Sequence, residues 1–213
     1  MFSRPAVFPR TVGRGPLPRM VVVTTTPTPT MRARIVEAAA AMTAEYGWSR
    51  VTMGALAERV GVSRQTVYNE IGTKPGLAEA MILHELDRFL GAVTRAFDEH
   101  PSDLVDAIRA ASAGVLELAQ DNQLLHAVVS ATHGADTELL PLLTTHAESL
   151  LAAAKLVVAE RITPYDLGLD APHLDAAIDM VVRVVLSHVM QPSASPADTA
   201  DGIAWIAARV LRS

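Results

Sequence analysis

Thr52–Lys74 reads TMGALAERVGVSRQTVYNEIGTK, and the reading of this stretch decides the fold. It carries two short helical patterns with a tight joint between them. Ala57 is small where a second helix must cross closely, and Gly61 can take the left-handed conformation that ends the first helix. Ser63 is placed to cap the second helix by accepting a hydrogen bond from its first turn. Leu56, Val60, Val62 and Val67 supply apolar contacts across the joint. Arg64, Gln65, Thr66 and Asn69 are then left outward at the start of the second helix. This is the layout of a helix-turn-helix, in which the second helix enters the major groove of DNA.

The residue types suit that task. Arginine pairs bidentately with guanine, and glutamine with adenine. Thr66 fits a phosphate or a thymine methyl, Tyr68 offers a phenol to a phosphate oxygen, and Lys74 offers a compact positive charge. The plainer alternative is a helical hairpin with a solvated polar face, and the flanking sequence has to decide between the two.

Charge is distributed to match. Residues 1–30 hold four arginines (Arg4, Arg10, Arg14, Arg19) and no acid; residues 31–74 hold six bases and four acids; residues 75–213 hold eight bases and nineteen acids. The formal net charge of −5 therefore hides a basic N-terminal part and an acidic remainder that DNA would repel. Half of the 213 residues are hydrophobic, enough for one large or two small cores. There is no cysteine, so disulfides, zinc–thiolate sites and thiol nucleophiles are excluded, as fits a cytoplasmic protein. Long alanine-containing stretches with a 3.6-residue period argue for an all-α fold.

Residues 1–30 contain six prolines and no helical period, and are expected to form a disordered basic arm. Val21–Val23 is too short for the apolar core of a signal peptide. Met31–Tyr46 follows as a helix, with Ile35, Ala38, Ala39, Met42 and Tyr46 on one face. Gly47 should end it, Trp48 should pack back over a three-helix core, and Thr52 should cap the next helix.

Over Arg32–Ile82, RARIVEAAAAMTAEYGWSRVTMGALAERVGVSRQTVYNEIGTKPGLAEAMI, the chain resembles the N-terminal domain of the TetR family of transcriptional regulators. The likeness runs without a gap through the first helix, the Gly47–Trp48 pair, the helix-turn-helix and the Tyr68–Lys74 segment. Met42 and Ile71 stand where the family often has Phe, and Glu70 where many members place His. The resemblance implies an Ω-shaped all-α homodimer of about nine helices per subunit, three of them in the DNA-binding domain. It implies a regulator, most often a repressor, that a small ligand releases from a palindromic double-stranded operator. By matching position, Arg64, Gln65, Thr66 and Asn69 look like groove readers, and Thr52, Ser63, Tyr68 and Lys74 like backbone contacts. In general character the chain is also similar to the mycobacterial-type members that govern lipid or alkane genes. The domain plan that follows is an arm over 1–30, a DNA-binding domain over 31–75, and a ligand-binding and dimerisation domain over 76–213.

Beyond the motif, Pro75 to about Glu99 reads as one long helix joining the two domains, the natural lever between ligand and DNA. Breaks predict further helices near 102–120, 123–131, 138–161, 172–190 and 197–212. No apolar run reaches the roughly 20 uncharged residues of a membrane span. The last two helices carry wide apolar faces, and Val181, Val185, Val189, Ile203, Ile206 and Val210 are the expected dimer interface. Aliphatic content predicts a smooth apolar pocket suited to a long-chain fatty acid or acyl ester. Its expected lining is Leu86, Phe89, Val93, Phe97, Leu118, Val129, Leu150 and Met180, with His126, His146 and Arg183 near a polar head group. No histidine pair at metal-ligand spacing, no phosphate loop and no nucleophile–base–acid set stands out, so neither a metal, a cofactor nor a catalytic residue is assigned. An all-α enzyme and a helical interaction module that binds no DNA are the readings from other classes.

Overall fold

In the computed structural model the chain is described over residues 29–126 and 140–211, with the backbone alone for 140–147. All regular structure among the described residues is helical. The α-helices are α1 (Met31–Tyr46), α2 (Met53–Val60), α3 (Arg64–Ile71), α4 (Lys74–Glu99), α5 (Leu104–Gln120), α6 (Leu140–Ile162), α7 (Ala171–Met190) and α8 (Pro196–Val210), with a 3-10 turn at Trp48–Arg50. Residues 123–126 are helical as well; the rest of the helix expected over 123–131 lies outside the described residues.

Short polar side chains set where the helices start. Thr30, Thr52, Ser63 and Thr73 each accept a backbone N–H three residues on, from Ala33, Ala55, Thr66 and Gly76, at 3.0–3.2 Å. Asp103, Asp170 and Ser195 do the same for α5, α7 and α8. Each cap satisfies a donor that the first helical turn leaves over, worth about 1 kcal/mol. Gly61 ends α2 in the left-handed conformation, φ 76° and ψ 39°. Its N–H reaches Glu58 O at 3.3 Å and the Val62 N–H reaches Ala57 O at 2.9 Å, the two bonds of a Schellman turn. A β-carbon at this φ would be strained, so the joint depends on glycine.

Two apolar cores result. The first gathers Ile35, Val36, Ala39 and Met42 of α1, Trp48, Val51, Met53, Leu56, Ala57, Val67 and Ile71, with Leu77, Ala78, Ala80 and Met81 of α4. The expected domain boundary at residue 75 therefore falls inside packed structure, because the first two turns of α4 complete the N-terminal core. Met42 and Ile71 are both buried there. The second core joins Ala96 and Phe97 of α4 to Leu104, Ala107, Ala111, Ile162, Ile178 and Val182.

The 26-residue α4 is thus embedded at both ends. Its far end is fixed by Arg161 to Asp98 at 2.6 Å, by the Tyr165 hydroxyl donating to His100 O at 2.7 Å, and by Phe97 meeting Tyr165 edge-on at 6.2 Å. Burial, with Asp103 nearby, raises the Tyr165 pKa. At its middle, Glu85 accepts from Arg88 and from the buried Asn122, and Leu124 rests on the first core. The segment after α5 therefore touches the N-terminal unit directly. α8 packs along α5, with Arg109 Nε 3.1 Å from Asp201.

Candidate nucleic-acid interface

The interface is built on α3. Val67 and Ile71, one turn apart, are buried in the first core. That fixes the rotation of the helix and turns Arg64, Gln65, Tyr68 and Asn69 to solvent, with Thr66 half-buried. Eight residues make a rod of about 12 Å, comparable with the width of the major groove.

Each candidate contact has a defined place. Ser63 Oγ caps α3 and lies 2.9 Å from Thr66 Oγ1, so these two hydroxyls are held together at the start of the helix. Gln65 Nε2 donates to Asn69 Oδ1 at 2.8 Å. Tyr68 is half exposed. Thr52, exposed, caps α2. The Lys74 ammonium stands 4.8 Å above the Trp48 ring, a cation–π contact that locates the charge beside the first core. The structure thus brings the eight candidates to the ends and outer faces of α2, α3 and α4, six of them exposed and Thr66 and Lys74 half-buried.

Three contributors escaped the sequence reading. Gly54, on α2, has the Arg64 guanidinium where a side chain would be: a β-carbon added there would lie 3.0 Å from Arg64 Cζ, Nε and Nη2. Arg32 and Arg34 of α1 donate to Glu70 O and Val60 O. They place positive charge at the C-terminal ends of α3 and α2, where the helix dipole is negative. A glycine inside a helical pattern, and arginines off the apolar stripe of α1, were the available signals. Arg59 pairs with Glu45 at 3.3 Å, and Glu45, by accepting from the Tyr46 hydroxyl, raises the Tyr46 pKa.

Among the described residues, the pocket candidates do not line one common cavity. Phe97 is buried against Tyr165, and Val93 packs on the second core. Leu86, Phe89 and Leu150 are half-buried. Leu118 lines a groove of about 420 Å³ between α4 and α5 with Ala92 and Gly114, beside the charged Arg88, Arg95, Glu117 and Asp121. Met180 is 63% exposed and Arg183 bonds outward to Asp179 at 2.7 Å. Ile178 and Val182 face the core, so Met180, two residues from each, is turned about 200° away from it, and Arg183, one residue past Val182, about 100°. His126 is exposed as well. Val129 and the side chain of His146 lie outside the described residues.

The interface candidates divide likewise. Val181, Val185 and Val189 are half-buried, and Ile206 and Val210 are exposed. Ile203, 5% exposed, is a correction: it turns inward with Ala200, Ala204 and Ala207 on the buried face of α8 and is used within the subunit. Met180, Val184, Leu186, Met190, Trp205, Ile206 and Val210 leave α7 and α8 with large apolar side chains on the surface.

Among the described residues there is no group of three metal-ligating side chains, and no helix is long and apolar enough to cross a membrane.

Comparison with known proteins agrees in both halves. Residues 35–81 match the model for bacterial regulatory proteins of the tetR family, and residues 103–209 match that of the bacterial tetracyclin repressor C-terminal domain. The HTH-type transcriptional regulator AlkX of Mycobacterium tuberculosis is 25% identical over 174 residues, 82% of either chain. The crystal structure of the TetR family repressor AlkX from Dietzia sp. strain DQ12-45-1b, implicated in biodegradation of n-alkanes, superposes with a TM-score of 0.67. The two are 27% identical, over 86% of this chain and 96% of that one. The fatty acid degradation regulator FadR from Bacillus halodurans shares the fold at 18% identity, with a TM-score of 0.51 over 81% of this chain and 95% of that one.

Proposed function

Since the chain belongs to the TetR family of bacterial transcriptional regulators, DNA-binding proteins and not enzymes, we propose that it acts as a cytoplasmic homodimeric repressor of a palindromic operator. Each subunit presents α3 to one half-site. Arg64, Gln65, Thr66 and Asn69 meet base edges, while Thr52, Ser63, Tyr68 and Lys74 meet phosphates. The observation that carries this reading is the division of α3 into two buried residues and an exposed polar face capped by Ser63.

The dimer is formed by the exposed apolar side chains of α7 and α8, which pack against their own copies about a twofold axis. The releasing ligand is apolar and linear, of the long-chain fatty acid or acyl ester class. The aliphatic content of the C-terminal half and the alkane connection of the Dietzia relative support that class. The ligand acts only through its different affinities for the two dimer states.

Fluorescence anisotropy of the purified protein on DNA upstream of its own gene, against scrambled DNA, tests the reading. Tight binding that falls steeply with salt and is released by a long-chain fatty acid is expected. Arg64→Ala with Lys74→Ala should abolish it without unfolding the protein. Binding that ignores the lipid removes the ligand class and keeps the regulator.

A further inference from the structure

We propose that Gly54 is a positioning residue of the DNA interface: its missing side chain is the seat on which the Arg64 guanidinium rests, and that seat sets which base pair Arg64 reads. This rests on the assignment of α3 as the recognition helix with Arg64 among its readers. It adds a determinant of specificity that has no side chain of its own.

Arg64 is the first residue of α3 and Gly54 the second of α2. The backbone does not call for glycine at position 54. Among the described residues the glycines with positive φ are Gly47, Gly61 and Gly72, so Gly54 keeps an ordinary helical conformation. Glycine inside a helix is less favourable than alanine, and its presence needs another reason. The three nearest atoms that a β-carbon at position 54 would meet all belong to Arg64: Cζ, Nε and Nη2, each at 3.0 Å.

Equal distances to three atoms of one plane fix how the guanidinium lies. These three atoms are close neighbours, so a point 3.0 Å from each stands above their plane and not beside it. Gly54 therefore meets the flat face of the guanidinium. The N–H donors point outward in that plane, and among the described residues no hydrogen bond or ion pair commits them. A seated face with a free donor edge is the state that a bidentate contact to guanine requires. A β-carbon at 3.0 Å stands inside the packing distance of about 3.5–4.0 Å, so alanine lifts the guanidinium off α2 and re-aims its fork. The Arg64 side chain is exposed, so it moves without disturbing the core, and the loss falls on recognition.

Selection from random DNA with the intact protein gives the site, and affinities are then measured for every single base-pair change. The proteins compared are wild type, Gly54→Ala, Arg64→Ala and the double variant, with circular dichroism and thermal midpoint for each. Gly54→Ala should keep or raise the thermal midpoint while weakening operator binding about five-fold or more. Its loss of preference should fall on the same base pair as that of Arg64→Ala, and the double variant should bind no worse than Arg64→Ala. Wild-type affinity in Gly54→Ala would overturn the proposal. So would a loss on a different base pair, or an equal further loss in the Arg64→Ala background, which would mean that the methyl group itself obstructs DNA. Gly54→Ser, whose β-carbon meets Arg64 at the same place, repeats the test should the alanine variant fail to fold. Arg64→Ala that weakens all sequences equally, or a selection that enriches nothing, overturns the underlying assignment of Arg64 or of DNA binding, and the proposal with it.

Discussion

The first core and the α7–α8 surface use the same kinds of side chain to opposite ends. In the N-terminal unit Ile35, Leu56, Val67 and Leu77 are fully buried by neighbours that lie close in the chain. On α7 and α8, Met180, Trp205 and Ile206 are more than half exposed. Close spacing in sequence lets one region complete its own burial, while the other leaves large apolar side chains outside.

The largest test of that contrast truncates one large apolar side chain on each side. Leu56→Ala, at a fully buried position, should destabilise the protein by about 2–5 kcal/mol, read as a lowered denaturant midpoint. Trp205→Ala, 61% exposed, should leave the stability of a dilute subunit within about 0.5 kcal/mol. Equal losses would erase the distinction. Next in size, Ile206→Glu combined with Met180→Glu should convert dimer to monomer in sedimentation at micromolar protein and weaken operator binding by at least ten-fold. Retention of the dimer would move the interface elsewhere.

The smallest effect lies in the polar network that flanks this surface. Asp179 is bonded by Arg183 and lies 3.2 Å from Lys155 Nζ. Its pKa is lowered, by the Arg183 hydrogen bond first and Lys155 second, and that of Lys155 is raised, chiefly by Asp179. A carboxylate depressed by folding contributes stability above its unfolded pKa and loses it as pH falls through the folded one. Acid titration should therefore destabilise wild type more than Asp179→Asn below about pH 4. A parallel loss in both proteins would mean the network contributes nothing.

Legibility from sequence follows the same division. Thr52, Gly61 and Ser63 announce helix ends through chemistry that acts within three or four residues, and they stand where the spacing placed them. Ile203 and Met180 were misplaced because an apolar stripe says that a face is covered without saying by what. α8 spends Ile203 on its own subunit and leaves Ile206 outside. The pocket was harder still. Its residues come from several helices, and one-dimensional spacing does not tell Phe97 packing on Tyr165 from a side chain lining a chamber. Gly54 was missed because its role is the space it leaves for Arg64, a residue from the next helix.

α3 delegates its hold on the fold to Val67 and Ile71 and leaves Arg64, Gln65, Tyr68 and Asn69 outside the core. Surface substitutions of this sort usually change stability by no more than about 0.5 kcal/mol. A lineage can therefore rewrite which DNA it recognises, one exposed side chain at a time, while the scaffold under the helix is inherited unchanged. Duplicated copies of such a gene are free to diverge in address before they diverge in architecture.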